Sequence, residues 1–201
     1  MPKLRLAGAL LVAIGAATVL YGCGEGLVLP DEGEPAAIII VAGDAQSGTA
    51  GSELGLPLIV RVTDSRGRPI ANQQVVFTLE NGSGDVIPDT AETDADGRAS
   101  TNWTLGPSSG NQAVRAAPVG APGSLAVMFN ATALAGQGAA LVLVSGDGQT
   151  AAVGSALPDS LLVKVSDPLG NPVAGVQVSW TAAGGGTISP AQVTTGPDGL
   201  A

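Results

Sequence analysis

The chain has 201 residues, a net charge of −9, one cysteine and no histidine. Those counts exclude Ser-His-Asp and Cys-His nucleophile systems, zinc sites built from His and Cys, and any internal disulfide. An acidic surface without a basic patch disfavours nucleic acid and anionic lipid headgroups as partners.

Lys3 and Arg5 precede an apolar run from Leu6 to Leu20. At roughly 15 residues it is short for a membrane span and suited to a signal core. The run ends in Leu20-Tyr21-Gly22-Cys23. A Leu, a spacer, a small residue and Cys resembles the bacterial lipobox, although small or aliphatic residues are usual where Tyr21 stands. The resemblance implies a lipoprotein signal peptide over residues 1–22 and lipidation of Cys23, the first mature residue. Acyl chains contribute about 0.8 kcal/mol per buried methylene, enough in number to hold a protein on a bilayer without a spanning helix. Gly24, where Asp would imply inner-membrane retention, implies sorting to the outer membrane or cell surface. Removing the signal takes away two of the eight basic residues and none of the 17 acidic ones, for a mature balance of −11.

Residues 23–35 are rich in Gly, Pro and like charges and read as a disordered tether. From there on, Gly or Pro interrupts almost every helical window, and alternation takes over. In Leu58-Ile59-Val60-Arg61-Val62-Thr63, Leu58, Val60 and Val62 share one face. Asp64-Ser65-Arg66-Gly67 follows, with Asp first and Gly fourth as a type I turn prefers. Val75, Phe77 and Leu79 alternate next, with Phe77 expected in the core. Asp94-Ala95-Asp96-Gly97 carries a hairpin signal. Ala99, Thr101, Trp103 and Leu105 then share a face, followed by Gln112–Ala116 and by Leu125, Val127 and Phe129. This spacing gives about seven strands, the pattern of a β-sandwich.

The whole series then begins again. Val41-Ala42-Gly43-Asp44 returns as Val144-Ser145-Gly146-Asp147, and Asp64-Ser65-Arg66-Gly67 as Asp167-Pro168-Leu169-Gly170. Leu161–Ser166 keeps the phase of Leu58–Thr63, and Trp180 stands where Phe77 does. Gly196-Pro197-Asp198-Gly199 repeats the second turn. The period of roughly 100 residues is that of a small domain, not of a solenoid unit. The second copy reaches only Ala201, before counterparts of Trp103, Val114, Val127 and Phe129. Roughly three strands' worth of buried side chains, at about 1.5–3 kcal/mol each, is comparable to the whole stability of a domain of about 5–15 kcal/mol. Residues 139–201 are therefore not expected to close a sandwich alone. A fragment of a longer reading frame is the simpler expectation; completion by a partner's strand is the alternative.

Val62, Asp64, Gly67, Pro69, Ala71, Val75, Phe77, Thr78, Thr93, Asp94, Asp96, Gly97 and Ala99 resemble the group 1 bacterial immunoglobulin-like domain of invasin- and intimin-type surface proteins. Val165, Asp167, Gly170, Pro172, Ala174, Val178, Trp180, Thr181, Thr195, Asp198, Gly199 and Ala201 carry the same pattern. The resemblance implies an all-β chain of tandem Ig-like β-sandwiches, the second truncated at its C-terminus. The domains are expected at 36–133 and 139–201, with a linker at 134–138. Rods of such domains hold other modules away from a membrane.

No catalytic, cofactor or metal site is expected. Asp94 and Asp96 open like a calcium loop, but the further oxygen ligands and closing Glu do not follow, and Gly196 replaces the first Asp in the repeat. Most carboxylates fall in turns or the tether, which disfavours a paired-carboxylate mechanism. The leading expectation is a lipid-anchored, non-catalytic stalk whose ligand, protein or glycan, is met by a distal module. The alternatives are a carbohydrate- or matrix-binding module, disfavoured by aromatics at 2%, and a spacer for an enzyme domain beyond Ala201.

Overall fold

A computed structural model describes residues 33–81 and 84–201. The expected signal segment, Cys23 and nearly all of the expected tether lie outside the described residues. Every regular element described is a strand, and no helix among these residues is long and apolar enough to cross a membrane.

The first copy holds nine strands: β1 (Ala37–Ala42), β2 (Gln46–Thr49), β3 (Leu58–Thr63), β4 (Gln74–Asn81), β5 (Asp85–Ile87), β6 (Thr90–Glu92), β7 (Arg98–Thr104), β8 (Gly110–Pro118) and β9 (Val127–Leu134). They form a four-stranded sheet in the order β1-β3-β7-β5 and a five-stranded sheet in the order β2-β9-β8-β4-β6. Alternation sends Leu58, Val60 and Val62 from the first sheet and Val75, Phe77, Val114 and Phe129 from the second into one shared core. Trp103 fills its middle, fully buried, with an indole N–H that meets no acceptor.

Two features depart from the sequence reading. The count exceeds seven because β5 and β6 are three-residue pieces on either side of Pro88, and because β2 runs parallel to β9 from Gln46↔Ala131 to Thr49↔Leu134. Nothing in Gln-Ser-Gly-Thr alternates in hydropathy. Its place is set by packing, with Gly48 close enough to Leu54 and Leu105 that a Cβ there would lie 3.1 Å from each side chain. The second departure is the expected hairpin at Asp94–Gly97. The turn is present, with Gly97 N–H donating to Asp94 O at 2.9 Å. It joins β6 to β7, however, and these strands lie in opposite sheets. The Asp-Gly signal reports the tight turn and not the pairing of the strands that flank it.

The second copy holds β10 (Ala140–Ser145), β11 (Leu162–Ser166), β12 (Gln177–Ser179) and β13 (Gln192–Thr194). They pair as β10-β11 and β12-β13. The β10-β11 ladder slips between Leu143 and Ser145, at the repeat position where β1-β3 slips between Ile40 and Ala42. Val163 and Ala201 exchange both backbone hydrogen bonds at 3.0 Å, the place of Val60↔Ala99 in the first copy. The core is correspondingly small: Val163, Val165, Val173 and Val178, with Val176 and Trp180 partly buried against them. Trp180 thus lies where Phe77 does in sequence, but only half-buried, because no counterpart of β7–β9 covers it within the 201 residues.

Candidate functional site

The chemistry-bearing side chains of the described residues are concentrated in two turns per copy. In the first copy, Asp64 Oδ1 accepts from Arg66 N–H and Arg68 N–H, both at 2.9 Å, while Arg68 Nε and Nη2 reach Asp64 Oδ2 at 2.8 Å. Hydrogen bonds from the Arg68 backbone and then its side chain, outweighing the opposing desolvation, hold the Asp64 carboxyl below its ordinary value of 3.8. The Asp94 carboxylate does the same work in its own turn, accepting from Asp96 N–H and Arg98 N–H at 2.9 Å. Asp94 thus shapes a turn, and no group of three or more His, Cys, Asp or Glu among the described residues could hold a metal ion.

Gly97 closes this turn at φ +74°, and a Cβ there would lie 2.5 Å from Val62 O. Only glycine fits both the left-handed backbone and the close approach of β3. Gly199 repeats the geometry against Val165 O, again at φ +74° and 2.5 Å.

Two pairs of residues cross-brace both copies: Thr93 and Thr195, which the sequence reading named only as motif positions, and Gln46 and Gln149, which it did not single out. Thr93 Oγ1, buried, donates to Ile70 O and accepts from Gln73 N–H, and Thr195 Oγ1 does the same with Val173 O and Val176 N–H. Gln46 closes the loop before β3 by donating to Gly43 O and Leu56 O and accepting from Leu56 N–H. Gln149 repeats that brace on Gly146 and Asp159. Identity between the copies at spacings of 102 and 103 was the available signal.

The Asp167 turn differs from its counterpart in what it touches. Asp167 Oδ1 accepts from Leu169 N–H at 2.9 Å and Asn171 N–H at 2.8 Å, as Asp64 does within its own turn. Its Oδ2 accepts from Asn171 Nδ2 at 3.0 Å and from Gly136 N–H, between β9 and β10, at 2.9 Å. These donors, Asn171's side chain foremost, outweigh desolvation and lower the Asp167 carboxyl to about 2. A cleft of ≈ 420 Å³ lies alongside, lined by Thr49 and Ala50 of the first copy, Gly136–Ala139, and Asp167–Leu169. The arrangement joins polypeptide to polypeptide and presents no nucleophile–base pair.

An Ig-like β-sandwich followed by a partial second copy of its strands is the arrangement this geometry defines. Residues 44–120, within the first copy, match the family model of the bacterial Ig-like domain (group 1). Among solved structures, the D0-D1 domains of intimin are 19% identical over 83% of this chain and 82% of that one, with a TM-score of 0.37. The integrin-binding protein invasin is 22% identical over 82% of this chain, with a TM-score of 0.40. The present chain spans 32% of the invasin chain. The surface layer protein SbsC, domains 4–9, is 14% identical over 80% of this chain, with a TM-score of 0.38. No curated protein matches the chain.

Proposed function

We propose that the protein is a lipid-anchored component of the bacterial cell envelope whose Ig-like repeats form a non-catalytic stalk. The observation that carries this reading is the duplication itself: a group 1 Ig-like domain followed by a second copy with the same turns, bulge and braces. Successive copies of one domain lengthen a structure, and these residues offer turns and braces in place of a reaction centre. Residues 1–22 are the signal removed on export, so the mature protein begins with the lipid on Cys23 and the tether over 23–35. Domains at 36–133 and 139–201, with a linker at 134–138, then stand off an outer membrane or face the medium. A distal adhesive or binding module meets the ligand, a protein or glycan, and no cofactor takes part.

The anchor is tested by Cys23→Ser, read by membrane fractionation and by metabolic labelling with an alkyne fatty acid. The native chain is expected in the detergent phase with label on Cys23. The variant is expected unlabelled and released from the membrane in high salt. Native chain that takes up no label would contradict the anchor.

A further inference from the structure

The position after the turn glycine shared by the two copies differs between them: Arg68 follows Gly67, whereas Asn171 follows Gly170. Arg68 turns back onto Asp64 of its own turn. Asn171 faces the other domain. Its Nδ2 donates to Pro107 O of the first copy at 2.8 Å and to Asp167 Oδ2 at 3.0 Å. Its Oδ1 accepts from Ser109 N–H of the first copy at 2.8 Å. Both amide hydrogens and the carbonyl oxygen are thus engaged in a residue only 7% exposed, and a flipped amide would set donor against donor.

The loop that Asn171 meets is itself held in place. Gln112, buried, accepts from Gly106 N–H at 2.8 Å and donates to Ser108 O at 2.9 Å. Gly51 N–H donates to Gly106 O at 3.0 Å. A linker alone leaves one domain able to swing and twist about the other. A second attachment away from the linker removes those rotations. Here the linker is tied at Gly136 to Asp167, and the Asn171 amide supplies the second attachment. Leu169 lies over Gly51, where a Cβ would approach its Cδ1 to 3.3 Å.

We infer that Asn171 is the positioning residue that sets the angle between the two copies, making this joint a fixed coupling between domains. The inference deepens the stalk reading by naming what stiffens it. It does not depend on the lipid, so release of the Cys23→Ser variant and failure of the joint are separate outcomes.

The test uses the full chain in detergent, with Cys23→Ser so that only two thiols react, and nitroxide labels at Thr78→Cys on β4 and Lys164→Cys on β11, both exposed in the native structure. Pulsed dipolar spectroscopy should return one narrow distance distribution. Asn171→Arg, which puts the first copy's residue at this place, should broaden it by removing the acceptor for Ser109 N–H. Ser109→Pro, which deletes that N–H and leaves every residue of the second copy unchanged, should broaden it too. Asn171→Asp, which keeps the acceptor and loses both donors, should fall between native and Asn171→Arg. A native-width distribution in Ser109→Pro and Asn171→Arg would overturn the inference. So would broadening confined to Asn171→Arg, since that would mark damage to the second copy and not loss of a contact between copies.

Discussion

Ile38 and Leu141 occupy the same position of the same strand in the two copies, pair with equivalent partners, Val62 and Val165, and share the bulge that follows. Ile38 is 7% exposed and Leu141 61%. Local sequence and ladder register are therefore sufficient to make the strand and insufficient to bury it. Burial requires the facing sheet, which β8 and β9 complete in the first copy. The lesson concerns cooperativity: turns, braces and bulges are written within some 60 residues, whereas the core depends on strands that come last in the repeat.

The largest expected difference between the copies is at the aromatic position. Phe77→Ala should cost the first copy about 3–5 kcal/mol, a typical value for a buried aromatic. Trp180→Ala should cost less than half as much, because the half-buried ring has less surface to lose. Urea midpoints followed for each copy by resolved amide signals check this, and equal costs would break the comparison.

The threonine brace should level the two. Thr93→Val and Thr195→Val each remove a buried hydroxyl and leave one backbone carbonyl and one backbone N–H without their partner, at an expected cost of about 1–3 kcal/mol. The first is read as a drop in urea midpoint, the second as loss of exchange protection at the Val176 amide. Gly97→Ala is expected to cost upward of about 1 kcal/mol, from the positive φ together with the clash against Val62 O, again by urea midpoint.

The acid response should separate the two aspartates by partner. Each carboxyl is lowered on folding, so its contribution is fully present above the ordinary value of 3.8 and is lost as pH falls through the folded value. For Asp167 that window runs from 3.8 down to about 2. Carbon-detected NMR titration of the carboxyl should give a midpoint near that value in the native chain. In Asn171→Ala the midpoint should rise toward the ordinary value, since the largest of its causes has gone.

Much of this was legible in the residues. The inward faces of β3 and β11, the two turns per copy, Phe77 in the core and the short second core all follow from alternation, turn chemistry and the repeat. The missed parts share a physical cause. β2 is placed by contact with β9, some 85 residues away, and carries no alternation of its own. The hairpin expected at Asp94 failed because a turn's chemistry does not say which sheet each flanking strand joins. The joint was hidden because Asn171 aligns with Arg68, and its partners Pro107 and Ser109 act through backbone atoms that leave no mark in the sequence. Gln112 stood within a strand as one more polar residue, and only the structure gives it the loop it supports.

Residue-resolved hydrogen exchange on the 201-residue chain tests most directly the claim that the copies share local structure but not a closed core. Amides of β3 should open only with the first copy as a whole, while amides of β11, in the same register, should exchange faster by a factor of ten for each ~1.4 kcal/mol separating the two. Equal protection of β3 and β11 would contradict the account, for it would mean that the second copy is closed without counterparts of β7–β9.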